Sequence, residues 1–354
     1  MSAARLLAAV VLLGGCATAA QRPETTTTTA PPAPGPSRPA ATTPRPPAPA
    51  AAMPETVESE DWIVTFAREG DTTQSLAARH LGDGRRAWVI EDFNGITAVT
   101  PGQKVVIPKR DWNPVGVDPD GYQLVPVLTY HDIAPQAKGR LVIAAKSFEE
   151  QMRYLKTNGY RVVTLRQFHD FLTRGRQLPR RAVVVTFDDG YRSFLTHAYP
   201  ILKELGFTAT LFVYTDYIGA GRNALGWDDL KRLAAEGFEV EGHSKTHSDL
   251  RRRKGEADPE YHRRLRSEME IPQRIFQDRL GRPAAFLAYP YGAVDDDVIP
   301  AARDYGFHAG LTVLREGNSA FVPVFRVRRS QVYAEMTLED FIRNLNTFAE
   351  EGLR

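Results

Sequence analysis

From Leu124 onward, short apolar runs alternate with longer segments in which apolar residues recur every three or four positions. The runs Val125–Thr129, Ala182–Phe187, Thr208–Tyr214, Glu239–Gly242, Ala285–Tyr289, Gly306–Thr312 and Val322–Val327 read as strands. Between them, "SFEEQMRYLKTNG", "LTHAYPILKELG" and "WDDLKRLAAEG" are helical patterns that close on glycine, as helix C-termini often do. Strands alternating with helices predict a parallel β/α sheet or barrel. Chemistry in such folds gathers at the C-terminal ends of the strands.

Upstream the pattern changes twice. Residues 61–109 read as a small βααβ unit. Its parts are a strand (Trp62–Phe66), a helix carrying Leu76, Ala77 and Leu81 on one face with Asp71 as its cap, a second helix (Ala87–Asn94), and a strand returning through "TPGQKVVIP". Residues 16–56 are rich in Pro, Ala and Thr, with too little apolar content for a core. They read as an extended tether, with a reach on the order of 100 Å at about 3 Å per residue. Residues 1–15 are Arg5 and an apolar stretch too short to span a membrane as a stable helix, which fits an export signal.

Composition narrows the function classes little. The 354 residues are 42% hydrophobic and 25% charged, and a formal charge of +2 gives no field that argues for a nucleic-acid partner. The basic runs "LRRRKGE" and "EYHRRLRSE" read as a loop and a solvated helix face. Cys16 is the only cysteine, which excludes an intramolecular disulfide and a cysteine-based metal site. The surrounding "LGGC" resembles a bacterial lipobox, which implies a lipidated Cys16 and a membrane anchor of acyl chains. The plainer alternative is a secretory signal cleaved near "ATA"; both predict export to the cell envelope. Ala17, where an aspartate would signal inner-membrane retention, points to the outer membrane in a cell that has one.

The strand ends carry the chemistry. "VVVTF" ends on Asp188-Asp189-Gly190, "FEVEG" on His243 with His247 four residues later, "VLT" on Tyr130-His131-Asp132, and "AFLA" on Tyr289-Pro290-Tyr291-Gly292. Histidines at i and i+4 can face one point from a single helical turn. Two imidazoles and a carboxylate suit Zn²⁺ or a similar divalent ion with one position left open. Asp188 and Asp189 would face opposite ways in a regular strand, but Gly190 permits a bend that brings both into the mouth.

This combination resembles the polysaccharide deacetylase family, the NodB-type carbohydrate esterases, over roughly residues 124–348. "TFDDGY" matches the family's first motif and "HSKTH" its second. The resemblance implies a distorted (β/α)7 barrel that removes N-acetyl groups from N-acetylglucosamine polymers. It also implies that Asp189, His243 and His247 bind the metal and that Asp188 is the base taking a proton from the attacking water. The backbone N–H of Tyr291 would serve the oxyanion, with Tyr289, Tyr291 and Pro290 available to line the sugar site. Residues 61–109, through "GDT" and "PGQ-x-VIP", resemble the LysM module, which implies binding to peptidoglycan or related glycans.

Two departures stand out. Many members read Arg-Pro-Pro-Tyr-Gly in the third motif, where the arginine orients the catalytic aspartate; here Ala288 holds that place. Arg326 and Arg328, alternating along "FRVRRS", are the candidate substitutes. The Leu-x-His motif that supplies a proton donor is also missing. "VPVLTYHDI" and "AYPYG" resemble the subgroup acting on poly-β-1,6-N-acetylglucosamine, in which an N-terminal histidine is the acid, so His131 takes that role. The rival readings are a non-catalytic wall-binding lipoprotein with a decayed barrel and an O-acetyl esterase.

Overall fold

The structure is a computed structural model and describes residues 56–351. The signal segment 1–15, Cys16 and nearly all of the tether 16–56 lie outside the described residues. Among those described, no helix is long and apolar enough to cross a membrane.

The N-terminal unit pairs β1 (Trp62–Phe66) with β2 (Lys104–Pro108) in an antiparallel ladder. Helices α1 (Thr73–Leu81) and α2 (Ala87–Asn94) cover one face of it. Leu76 and Ala77 meet Ile63, Ile90, Val105 and Ile107 in a small separate core. The cap of α1 differs from expectation. Thr72, not Asp71, is the N-cap, in a reciprocal capping box with Ser75. Asp71 instead pairs with Arg79 and accepts from the Arg68 N–H at 2.8 Å.

The larger domain is a curled parallel sheet. Its strands are β3 (Val127–Tyr130), β4 (Ala182–Phe187), β5 (Thr210–Val213), β6 (Glu239–Gly242), β7 (Phe286–Ala288), β8 (Ala309–Leu311) and β9 (Ser330–Gln331). They lie in the order β8-β7-β6-β5-β4-β3-β9. Val327, just before β9, bridges back to Leu311 on β8, so the curl closes into a seven-stranded barrel. One predicted strand falls elsewhere. Val322–Val327 is mostly a 3₁₀ turn, Val324–Arg326 behind Pro323, and the last strand starts at Ser330.

Strict alternation along each strand sorts the side chains. Val183, Val185 and Phe187 join the helix-side core, while Ala182 and Val184 join a second core inside the barrel. On β7, Phe286 and Ala288 face inward, and Leu287 and Tyr289 face the helices. Phe168 and Phe171 of α4 (Leu165–Arg174) complete the inner core and close the barrel floor. Two backbone N–H groups at the start of α4 donate to the Glu239 carboxylate at the foot of β6.

The small unit packs against that floor, away from the strand C-termini. Glu91 of α2 pairs with Arg161, and the Asp92 carboxylate accepts from the Arg180 N–H at 2.9 Å. Trp112, in the connecting segment, packs its ring edge-on against Phe93 at 5.4 Å. The Trp112 backbone N–H donates to Gln177 Oε1 at 2.9 Å.

Close packing at one point gives a direct test. Tyr289 passes so near β8 that a Cβ on Gly310 would lie 2.0 Å from its hydroxyl oxygen. Gly310→Ala is expected to destabilise the barrel by about 3 kcal/mol or more, the upper end for overpacking. Urea denaturation followed by fluorescence measures this; a loss under about 1 kcal/mol would mean that the contact yields.

Candidate active site

Alternation along β4 continues past the strand. Ala182, Val184 and Thr186 face inward, so Asp188 does too, and it is 3% exposed at the barrel mouth. Asp189 would by parity point out among the helices. It escapes by adopting φ 74°, and Gly190 continues the bend at φ 88°. A Cβ on Gly190 would meet Ile218 Cδ1 at 2.8 Å, so a larger residue would push that side chain aside as well as strain the backbone.

His243 follows β6 on its inward face and is buried. Its Nδ1 donates to the Ala288 carbonyl at 2.7 Å, which turns Nε2 toward the aspartates. The segment to His247 is a loop, not the helical turn that the i, i+4 spacing suggested. Ser244 and His247 sit at φ 71° and 62°. The Ser244 hydroxyl accepts from the His247 N–H at 3.0 Å. Glu268, from helix α7 (Asp258–Leu280), accepts from the Lys245 and Thr246 N–H groups at 3.1 and 2.9 Å and from the Thr246 hydroxyl at 2.7 Å. A buried carboxylate thus fixes the loop that carries the second histidine.

The result is a compact donor set. His247 Nε2 and His243 Nε2 lie 3.4 and 3.6 Å from Asp189 Oδ1, and all three ligand atoms fall within 4.8 Å of one another. Burial lowers the His243 pKa to about 4 and also lowers that of His247, so both imidazoles are neutral donors at pH 7. Asp189 Oδ1 is buried without a hydrogen-bond partner among the described residues. Burial, reinforced by the Asp188 charge, raises its carboxyl to about 6. A polar oxygen is rarely abandoned in this way. Two neutral imidazoles facing an orphaned carboxylate oxygen fit a divalent cation such as Zn²⁺, which would supply the missing partner and reverse the shift.

Asp188 has a different environment. Burial works to raise its carboxyl, but the charge of Arg329 prevails and holds it at about 2. Arg329 is 0% exposed and grips Asp188 with both terminal nitrogens, Nη1 to Oδ1 at 2.7 Å and Nη2 to Oδ2 at 2.9 Å. Its Nε donates to the Thr312 carbonyl at 2.8 Å, and the guanidinium lies 5.3 Å from the Phe212 ring centroid. This arginine replaces both sequence candidates. Arg326 pairs with Asp296 at 2.7 Å and Arg328 with Glu316 at 2.6 Å, all at the surface. With Val327 facing inward, the next inward position is 329; assuming a strand through Val322 put the arginine one residue off.

The remaining candidates separate. His131 follows β3 on the inward parity of Val127 and Thr129, and its charge lowers both aspartates. Its Nδ1 is buried without a partner among the described residues. Tyr291 is 66% exposed, has φ 59° and places its ring edge-on to His247 at 4.7 Å. Pro290 is buried beneath it. Tyr289 is no sugar platform: its parity turns it outward, it is fully buried, and its hydroxyl donates to the Phe325 carbonyl at 3.1 Å. Asp189, Ser244, His247 and Tyr291 are the four non-glycine residues at positive φ among those described, and all belong to this site or its loops. Such conformations cost roughly 1–3 kcal/mol each and persist where the surroundings impose them.

Residues 175–310, a stretch of the barrel, match the polysaccharide deacetylase family. The chain is 30% identical over 188 residues to a putative polysaccharide deacetylase, YxkH, of Bacillus subtilis, covering 53% of this chain and 64% of that protein. It is 24% identical over 192 residues to the poly-β-1,6-N-acetyl-D-glucosamine N-deacetylase of Staphylococcus aureus, covering 51% and 66%. The chain thus spans just under two thirds of the length of these relatives. Among solved structures, IcaB from Ammonifex degensii superposes with a TM-score of 0.55 at 27% identity, over 64% of this chain and 96% of that one. The Streptococcus pyogenes deacetylase PplD gives 0.57 at 23% identity, over 64% and 99%, a likeness of fold.

The buried pair yields a measurable coupling. Arg329→Met leaves the Asp188 carboxylate buried without a counter-charge and is expected to cost about 3–5 kcal/mol. Adding Asp188→Leu removes the stranded charge and should restore most of that loss. Chemical denaturation of the two single variants and the double variant reads this out. Simple additivity of the two single losses would show that the pair is not coupled.

Proposed function

We propose that this protein is a metal-dependent hydrolase that removes N-acetyl groups from an N-acetylglucosamine polysaccharide at the cell envelope. The observation that carries the proposal is the pairing of a three-donor cation site with a separate aspartate kept ionised by Arg329. The S. aureus relative, whose name gives poly-β-1,6-N-acetylglucosamine as its substrate, supports the substrate class.

Asp189, His243 and His247 would hold the cation. When bound, it polarises the acetyl carbonyl and makes water a better nucleophile at neutral pH. Asp188 stays ionised because Arg329 opposes the effect of its burial, so it can accept the proton of the attacking water. Arg329 fixes the aim of that carboxylate with two hydrogen bonds. His131 gives a proton to the departing amine, which leaves badly as an anion. The backbone N–H of Tyr291 donates to the developing oxyanion, and the exposed Tyr291 ring offers a face for a sugar. The reading of a decayed, non-catalytic barrel drew on a missing arginine and a missing Leu-x-His motif; Arg329, just before β9, supplies the first of these.

The remaining parts of the proposal rest on sequence. Export and a lipid on Cys16 would hold the enzyme at the envelope, and the βααβ unit would bind peptidoglycan while the barrel mouth points away from it. Acetate release from chito-oligosaccharides, poly-β-1,6-N-acetylglucosamine and peptidoglycan by zinc-loaded protein tests the activity, and silence on all three would end the proposal. Asp188→Asn is expected to cut turnover by about 10²-fold or more while zinc still binds. Asp189→Asn should lose both turnover and zinc affinity. Equal zinc affinity in the two variants, by isothermal titration, would overturn the division of roles.

A further inference from the structure

The basic run "LRRRKGE" does not end up as an idle loop. It walls a cavity of about 620 Å³ that also takes in His247 and Tyr291, so the cavity opens directly beside the cation site. The loop is held in place from beneath. Arg264 of α7 donates to the Asp249 and Arg251 carbonyls, each at 2.9 Å, and clamps Glu256 through Nε at 2.8 Å and Nη2 at 2.7 Å. Its side chain is only 12% exposed.

The charges in the cavity are unequal in availability. Arg251 pairs with Asp249 at 2.6 Å. Arg252 pairs with Asp258 at 2.6 Å and lies 4.4 Å over the Tyr261 ring. The other acidic residue of the lining, Asp295, accepts from the Asp297 and Val298 N–H groups at 3.1 and 3.0 Å at the start of helix α8 (Val298–Asp304). Both lining acids are therefore satisfied within the protein. Arg253 donates its backbone N–H to Glu256 at 3.0 Å, but no carboxylate among the described residues pairs with its guanidinium. An unpaired fork on a fixed loop, one sugar-sized cavity away from the reaction centre, is suited to a carboxylate.

We propose that this cavity is a subsite for a carboxylate-bearing sugar next to the N-acetylglucosamine undergoing hydrolysis, with Arg253 as its principal contact. The inference rests on the deacetylase reading for the position of the reacting sugar. It separates acidic glycans, such as strands alternating N-acetylglucosamine with a lactyl-substituted sugar, from neutral homopolymers. A neutral chain offers the guanidinium no countercharge.

Binding to the full chain tests it independently of turnover. The probes are peptide-free strands of alternating N-acetylglucosamine and N-acetylmuramic acid, and the same strands with their carboxyls amidated. By isothermal titration the acidic strand is expected to bind roughly 3- to 10-fold more tightly, the span of one partly exposed ion pair. Arg253→Ala should collapse that ratio toward one, Arg253→Glu should invert it, and Arg253→Lys should keep part of it. Equal affinity for the two strands, or a ratio unmoved by Arg253→Glu, would overturn the subsite. Acetate release is scored separately. Charge-dependent binding through Arg253 without acetate release keeps the subsite and removes the deacetylase reading; acetate release with no charge preference in binding does the reverse.

Discussion

The fork between Arg329 and Asp188 is the interaction on which the site depends. Both groups are out of water, where either charge alone would be expelled or neutralised. Together they leave Asp188 ionised, oriented and unavailable for any other geometry. The neighbouring aspartate has no such partner, and its buried oxygen is left facing two neutral imidazoles. Adjacent residues of the same type thus acquire opposite electrostatics, one carboxyl pulled down to about 2 and the other pushed up to about 6. The difference lies in their surroundings, and it suits one to proton transfer and the other to a cation.

Holding that arrangement places demands on the backbone around it. Asp189, Ser244, His247 and Tyr291 occupy a region that L-residues rarely visit, and each is over-determined by neighbours. Glu268 ties down the histidine loop, Gly190 makes the turn after Asp189, and Ala288 offers a carbonyl to His243. The barrel provides the rigid frame, with its floor closed by α4 and by the small βααβ unit. Only the mouth is left for a large substrate.

Much of this was legible in the chain itself. The paired aspartates directly after "VVVTF" and the glycine before His243 located strand ends, and strand ends located the donors. Three things were hidden. Pro323 starts a 3₁₀ turn within an apolar run, so the inward register of the last strand could not be counted correctly and Arg329 was passed over for Arg326 and Arg328. Tyr289 sits beside the motif residues, yet strand parity sends it to the helix side; counting outward from Phe286 would have shown this. The spacing of His243 and His247 suggested a helix because a loop pinned by a distant carboxylate leaves no local signature. Of the three, only the histidine loop depends on a partner far away in sequence, Glu268.

The most direct test of the division between the two aspartates is a crystal structure of zinc-soaked protein, with data collected on both sides of the zinc absorption edge. The anomalous peak should lie among Asp189, His243 and His247, with Asp188 outside the coordination sphere and still joined to Arg329 by two hydrogen bonds. A peak bonded to Asp188, or an Arg329 displaced from it, would contradict the assignment.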